Sequence, residues 1–190
     1  MALTPRAGGS RRIDKVLAED FLSGLEGVPL PALREMRAEA DQEEVDLSYL
    51  RRMLQGRLDI VRAERAVRAS GEPGEGLVAA LPQILADGAE RQPAQGLGRH
   101  RPTEPSRVGE TRRREEALLA DLGLADPAEL DAPALEHAAD VLTAEEHEVS
   151  TTRRQVQAVL DAINGEIGRR YRTGEATVAT LLEGSAPSAG

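Results

Sequence analysis

Glu44, Ser48, Arg51, Gln55 and Asp59 recur 102 positions later as Glu146, Ser150, Arg153, Gln157 and Asp161, so E-x3-S-x2-R-x3-Q-x3-D occurs twice. On a helix turning about 100° per residue, these steps keep all five side chains within an arc of roughly 80°. Helices normally reserve such a stripe for apolar packing, so a duplicated polar one asks for a polar ligand or partner. The residue types suit a guanine nucleotide. Arg51 and Arg153 each offer a planar fork to guanine O6 and N7, and Asp59 and Asp161 accept the N1 and N2 hydrogens of its opposite edge. Ser48, Ser150, Gln55 and Gln157 can bond phosphate or ribose oxygens. Glu44 and Glu146 either accept from a further guanine or orient the arginines. Arg52 and Arg154 also repeat and are either phosphate-facing cations or ordinary exposed helix arginines.

The elements that must position these residues are two long helices. Leu47, Leu50, Leu54, Leu58 and Val61 correspond to Val149, Thr152, Val156, Leu160 and Ile163, a heptad-like apolar seam broken only at Thr152. Packed seam to seam, the helices bring the polar strips to a shared groove with approximate two-fold symmetry. The first is predicted over 31–67, with Pro31 in its first turn, and the second over 131–172, starting near Asp131 or Pro133 and stopping before Gly174. Gly56 weakens the first helix. It is either a tolerated defect or a gap through which a backbone or ligand approaches. The connector of about 64 residues leaves the relative helix direction open.

Shorter elements surround this pair. Residues 1–12 read as disordered, Ile13–Leu25 as an amphipathic helix, 77–86 as a short apolar helix at Pro82, 88–110 as a loop and 184–190 as a frayed tail. A helix through Leu122 opens at Arg112, Arg113 and Arg114, which can pair with Glu115 and Glu116 on a solvated face. Thus 68–130 is a connector with short helices. The fold class is all-α, an elongated coiled coil with accessory helices in the N-terminal segment and connector, forming one domain over 1–190.

With 30% charged residues, no cysteine, no apolar leader in MALTPRAGGSRR and no run of membrane-spanning length, the chain is expected to be cytoplasmic, without disulfides, thiolate chemistry or cysteine-ligated zinc. A net charge of −9 argues against direct DNA binding and favours a basic protein partner. His137 and His147 follow Ala134 and Ala144 at the position where a di-iron motif needs glutamate, and they read with His100 as surface or linker residues. Glu43 and Glu44 read as ordinary helix-surface carboxylates rather than an acid/base pair. No metal and no catalysis is expected.

The ten motif positions, within LSYLRRMLQGRLDIVRAE and EVSTTRRQVQAVLDAINGEIGRRY, resemble the cyclic di-GMP signature of RsiG-type anti-sigma factors from actinobacteria. The resemblance implies an antiparallel helix pair that binds cyclic di-GMP and, when loaded, sequesters a WhiG-type sporulation sigma factor. With no Trp, one Phe and two Tyr, the bases lack the usual stacking platforms. Guanines stacked on one another and on Arg51 or Arg153 then favour two ligand molecules in an intercalated dimer, and a motif of 15 residue intervals spans about 22 Å, long enough for both. Two rivals stand beside this reading. One is a structural or oligomerising coiled coil whose repeated polar residues are inter-helix salt bridges. The other, an enzyme acting on a nucleotide, lacks any accompanying metal-ligand cluster or activated nucleophile.

Overall fold

The computed structural model describes residues 5–70 and 104–176, apart from the side chains of Ser70, Arg114 and Glu115. The expected helix at 77–86, most of the loop at 88–110, residues 1–4, His100 and the tail at 184–190 lie outside them. All regular elements among the described residues are helical: α1 (Arg12–Val16), a 3-10 turn (Leu25–Gly27), α2 (Leu30–Ser70), α3 (Val108–Asp121), a second 3-10 turn (Pro127–Glu129) and α4 (Ala132–Thr173). Asp131 caps α4 by accepting from the Ala134 amide at 2.8 Å. Gly174, with φ of 76°, follows the last turn of α4, where the left-handed conformation favours glycine.

The seam is buried as its spacing requires. Leu47, Leu50, Leu54, Leu58, Val61, Val149, Val156 and Ile163 are all buried, and Thr152 is buried with them, while Leu160 is half-buried. Fully burying a side chain of this kind contributes about 1.5–3 kcal/mol, so the seam outweighs helix propensity in holding the long helices. Gly56 is exposed, and a Cβ there would meet no atom within 4 Å. No backbone of the described residues makes use of the gap, and the equivalent position of α4 is Ala158. Gly56→Ala is therefore expected to stabilise the protein by about 0.8–1 kcal/mol in urea unfolding.

The chain forms two compact units, Met1–Val45 with Thr152–Gly190 and Asp46–Thr151, and each long helix contributes a segment to each. In the first unit, Arg34 reaches Tyr171 while Glu44 reaches Arg153; in the second, Gln55 reaches Glu146 while Arg65 reaches Glu136. Partner numbers fall as α2 numbers rise, so α2 and α4 pack antiparallel in both.

In the first unit, α1 is shorter than the apolar pattern predicts. Ile13 and Val16 are fully buried, but Leu17, Phe21 and Leu22 are only half-buried, and after Val16 the chain continues in turns with bonds such as Phe21 N to Ala18 O at 3.1 Å. Residues 6–11, where no order is expected from sequence, are tied to Asp14. Its carboxylate accepts from the Arg6 amide at 2.9 Å, the Arg11 amide at 3.1 Å and the Arg11 guanidinium at 2.6 and 2.8 Å. The Arg11 bonds hold this carboxyl well below the usual range. Helix α1 is joined to α2 by Lys15–Glu39 at 2.6 Å and Arg12–Glu43 at 3.8 Å. Glu43 is thus no ordinary surface carboxylate: it is 2% exposed, because α1 lies over it and supplies its cation.

In the second unit, buried Asp46 anchors the start of α3, accepting from the Ser106 amide at 2.6 Å, the Ser106 hydroxyl at 2.7 Å and Arg107 Nε at 3.2 Å. Burial pushes this carboxyl up, but those donors outweigh it and leave it below its ordinary value. Further along, Arg112 faces Glu116 at 3.8 Å with both side chains largely in solvent, as a solvated face implies.

The 102-residue duplication extends beyond the motif. The two 3-10 turns, Leu25–Gly27 and Pro127–Glu129, share that offset, as do Pro31 and Pro133, Glu64 and Glu166, and Arg68 and Arg170. In the second unit Arg68 donates to the carbonyls of Leu130 at 2.5 Å, Ala128 at 2.9 Å and Pro127 at 3.2 Å, with its Nε on Glu64 at 2.7 Å. In the first, Arg170 donates to the carbonyls of Leu25 at 2.8 Å and Glu26 at 3.1 Å, with its Nε on Glu166 at 2.7 Å. Each arginine at the end of one long helix therefore satisfies carbonyls in the turn that precedes the other.

Glu166 also accepts two bonds from Arg169, at 2.8 and 2.9 Å, and the hydrogen bonds from Arg169 and Arg170 lower its pKa to about 2. A depressed carboxyl contributes stability that is present above its unfolded-state pKa, near 4.3, and is lost as pH falls toward the folded value. Thermal unfolding midpoints are expected to drop between pH 4.5 and 2, with a shallower slope in Glu166→Gln.

Candidate functional site

The two motifs meet residue by residue within the units. In the first, Glu44 Oε1 accepts from Arg153 Nε at 3.1 Å and from Gln157 Nε2 at 3.2 Å. In the second, Glu146 Oε1 accepts from Gln55 Nε2 at 3.0 Å and from Ser150 Oγ at 2.9 Å, and lies 3.6 Å from Arg51 Nη1. The glutamate of each motif thus holds the arginine and glutamine of the other. This arrangement follows from antiparallel packing: side chains beside a shared seam face their counterparts from the opposing copy.

The clusters are partly shielded. Both glutamates are 20% exposed, against 33% for Arg51 and 24% for Arg153, so these pairs are less screened than surface ion pairs yet remain open to a ligand. The Arg51 Nε atom is shielded from solvent and has no hydrogen-bond partner among the described residues. A buried orphan donor costs about 1–3 kcal/mol, which an acceptor brought by a ligand would offset. Arg153 uses the same atom on Glu44, so the second cluster is the less satisfied one.

The remaining motif residues differ in exposure. Asp59 is half-buried and 3.9 Å from Arg62 on its own helix, while Asp161 is exposed. Ser48 is half-buried, and Arg52 and Arg154 are exposed. His137 and His147 are exposed as well. Sequence reasoning left open whether Glu44 and Glu146 orient the arginines or accept from a further guanine, and in the structure each contacts the arginine of the opposite copy. It missed the Arg68 and Arg170 anchors, whose signal was E-x3-R recurring at the same offset.

Fold and site together define an all-helical scaffold: two antiparallel long helices presenting duplicated polar clusters, with no helix among the described residues long and apolar enough to cross a membrane. The family described as RsiG-like matches residues 19–85 and 121–185, more than half of the chain, and the protein belongs to that family of anti-sigma factors, whose partner is a sigma factor. No curated protein matches the sequence.

Proposed function

We propose that this protein is a cytoplasmic, cyclic di-GMP-responsive anti-sigma factor that sequesters a WhiG-type sporulation sigma factor when loaded with the nucleotide. The observation that carries the reading is the repeated placement of an arginine beside a glutamate from the opposing helix, with Arg51 Nε lacking an acceptor among the described residues. Arginine forks held in advance cost less to order around a ligand, and guanine O6 and N7 are the acceptors they fit best. Asp59 and Asp161 then accept from the N1 and N2 edges, with serine and glutamine oxygens and amides toward ribose or phosphate. Arg52 and Arg154, exposed beside the motif, balance phosphate charge. Two like clusters favour a ligand with two guanines, and scarce aromatic residues favour two such molecules stacked on one another.

Nucleotide and sigma factor are coupled by differential affinity. If the ligand tightens sigma binding by some factor, sigma tightens ligand binding by the same factor. An acidic chain covers basic promoter-reading surfaces of its partner by charge and bulk, without contacting DNA itself. Calorimetric titration with cyclic di-GMP, alone and with a WhiG-type sigma factor, is expected to give two ligands per chain and equal coupling in both directions. One ligand per chain rejects the stacked dimer.

The inter-helix bonds of Glu44 and Glu146 also suit a purely structural coiled coil, in which those bonds are the whole purpose of the motif. That reading expects no heat of nucleotide binding and an unchanged sedimentation coefficient with cyclic di-GMP.

A further inference from the structure

The duplication is broken at one place where breaking it opens space. In the first unit Tyr171, at the end of α4, is half-buried, and its hydroxyl accepts from Arg34 Nη2 at 2.8 Å. The residue 102 positions earlier is Ala69. In the second unit a cavity of about 270 Å³ lies at that place, lined by Arg65, Arg68, Ala69, Ala132, Leu135 and Glu136. Beneath it Leu135 corresponds to Leu33, both fully buried, while Ala132 and Arg65 stand where the first unit has the larger Leu30 and the apolar Ile167. The polar wall differs: Glu136 stands where Arg34 stands in the other copy, 3.5 Å from Arg65, and Arg68 is fixed by its carbonyl and Glu64 bonds.

We propose that this cavity takes one phenol ring from another molecule, the side chain of a tyrosine on a partner polypeptide. The volume lies below that of pockets for drug-sized ligands and suits a single ring. A ring here lies against Ala69 and Ala132, above the buried Leu135, and its hydroxyl donates to the Glu136 carboxylate, reversing the polarity of the Arg34–Tyr171 bond. The chain cannot supply the ring itself. It has two tyrosines, Tyr49 and Tyr171, one phenylalanine, Phe21, and no tryptophan, and all three aromatic residues are placed in their own surroundings in the structure. The proposal does not depend on nucleotide binding.

The test is amide NMR titration of the full chain with p-cresol, with toluene, and with the capped tripeptides Gly-Tyr-Gly and Gly-Phe-Gly. Saturable shifts confined to the amides around Ala69, Ala132, Leu135 and Glu136 are expected for p-cresol and the tyrosine peptide, with dissociation constants of about 1–10 mM, as small ligands give. Toluene and the phenylalanine peptide are expected to bind several-fold more weakly. Ala69→Tyr, which copies Tyr171, abolishes the shifts, and Glu136→Gln weakens them without filling the space. No saturable shifts, or shifts that persist in Ala69→Tyr, overturn the site. Equal binding of toluene overturns the hydroxyl contact, and p-cresol binding without peptide binding overturns the polypeptide source.

Discussion

Arg51→Ala is expected to weaken cyclic di-GMP binding by about tenfold to a hundredfold, the loss of about 1–3 kcal/mol that a good bidentate arginine contact to guanine provides. The unliganded protein is expected to keep its helical content, because Glu146 retains Gln55 and Ser150 as donors and the apolar seam is untouched. Arg153→Ala should behave alike. Asp59→Ala is the cleaner companion: among the described residues its half-buried carboxylate faces Arg62 at 3.9 Å, beyond hydrogen-bond distance, so its removal leaves the packing intact while deleting the acceptor for the guanine N1 and N2 edge. Calorimetry paired with far-UV circular dichroism reads both quantities. Unchanged affinity in Arg51→Ala and Asp59→Ala would falsify the assignment of the base-reading residues.

The largest stability effect is expected at Arg170. Arg68 and Arg170 perform the same task in the two units, yet the Arg170 side chain is 9% exposed and that of Arg68 32%. Removing Arg170 takes its bond from the Glu26 carbonyl, leaves the Leu25 carbonyl with the Val28 amide, and takes one cation from Glu166 in a shielded place, a loss of about 3 kcal/mol. Removing Arg68 takes a donor from three exposed carbonyls, of which Pro127 keeps the Leu130 amide, and about 1 kcal/mol is expected. Urea unfolding of the two alanine variants tests the ordering. Equal losses would mean that burial does not set the strength of these anchors.

Much of this molecule was legible because helices write their faces into the sequence with a fixed period. The seam from Leu47 to Val61, its copy from Val149 to Ile163, and the Pro31, Asp131 and Gly174 boundaries all follow from local rules of spacing and capping. The ten polar residues stood out for the same reason, as a stripe of the wrong chemistry repeated at one offset. The burial of Glu43 did not, because its cation comes from Arg12, 31 residues away, and no periodicity encodes that meeting.

Sequence by itself thus determined the two long helices, which face of each is apolar and which residues share the polar stripe, since all three depend on contacts within a few residues of one another. Only the tertiary structure decided that the helices run antiparallel, that Glu44 and Glu146 each hold the opposite copy's arginine and glutamine, and that Ala69 leaves open the place filled by Tyr171 in the other copy. Those facts rest on pairings about 90 to 140 residues apart, whose geometry is set by how the seams dock rather than by any local preference.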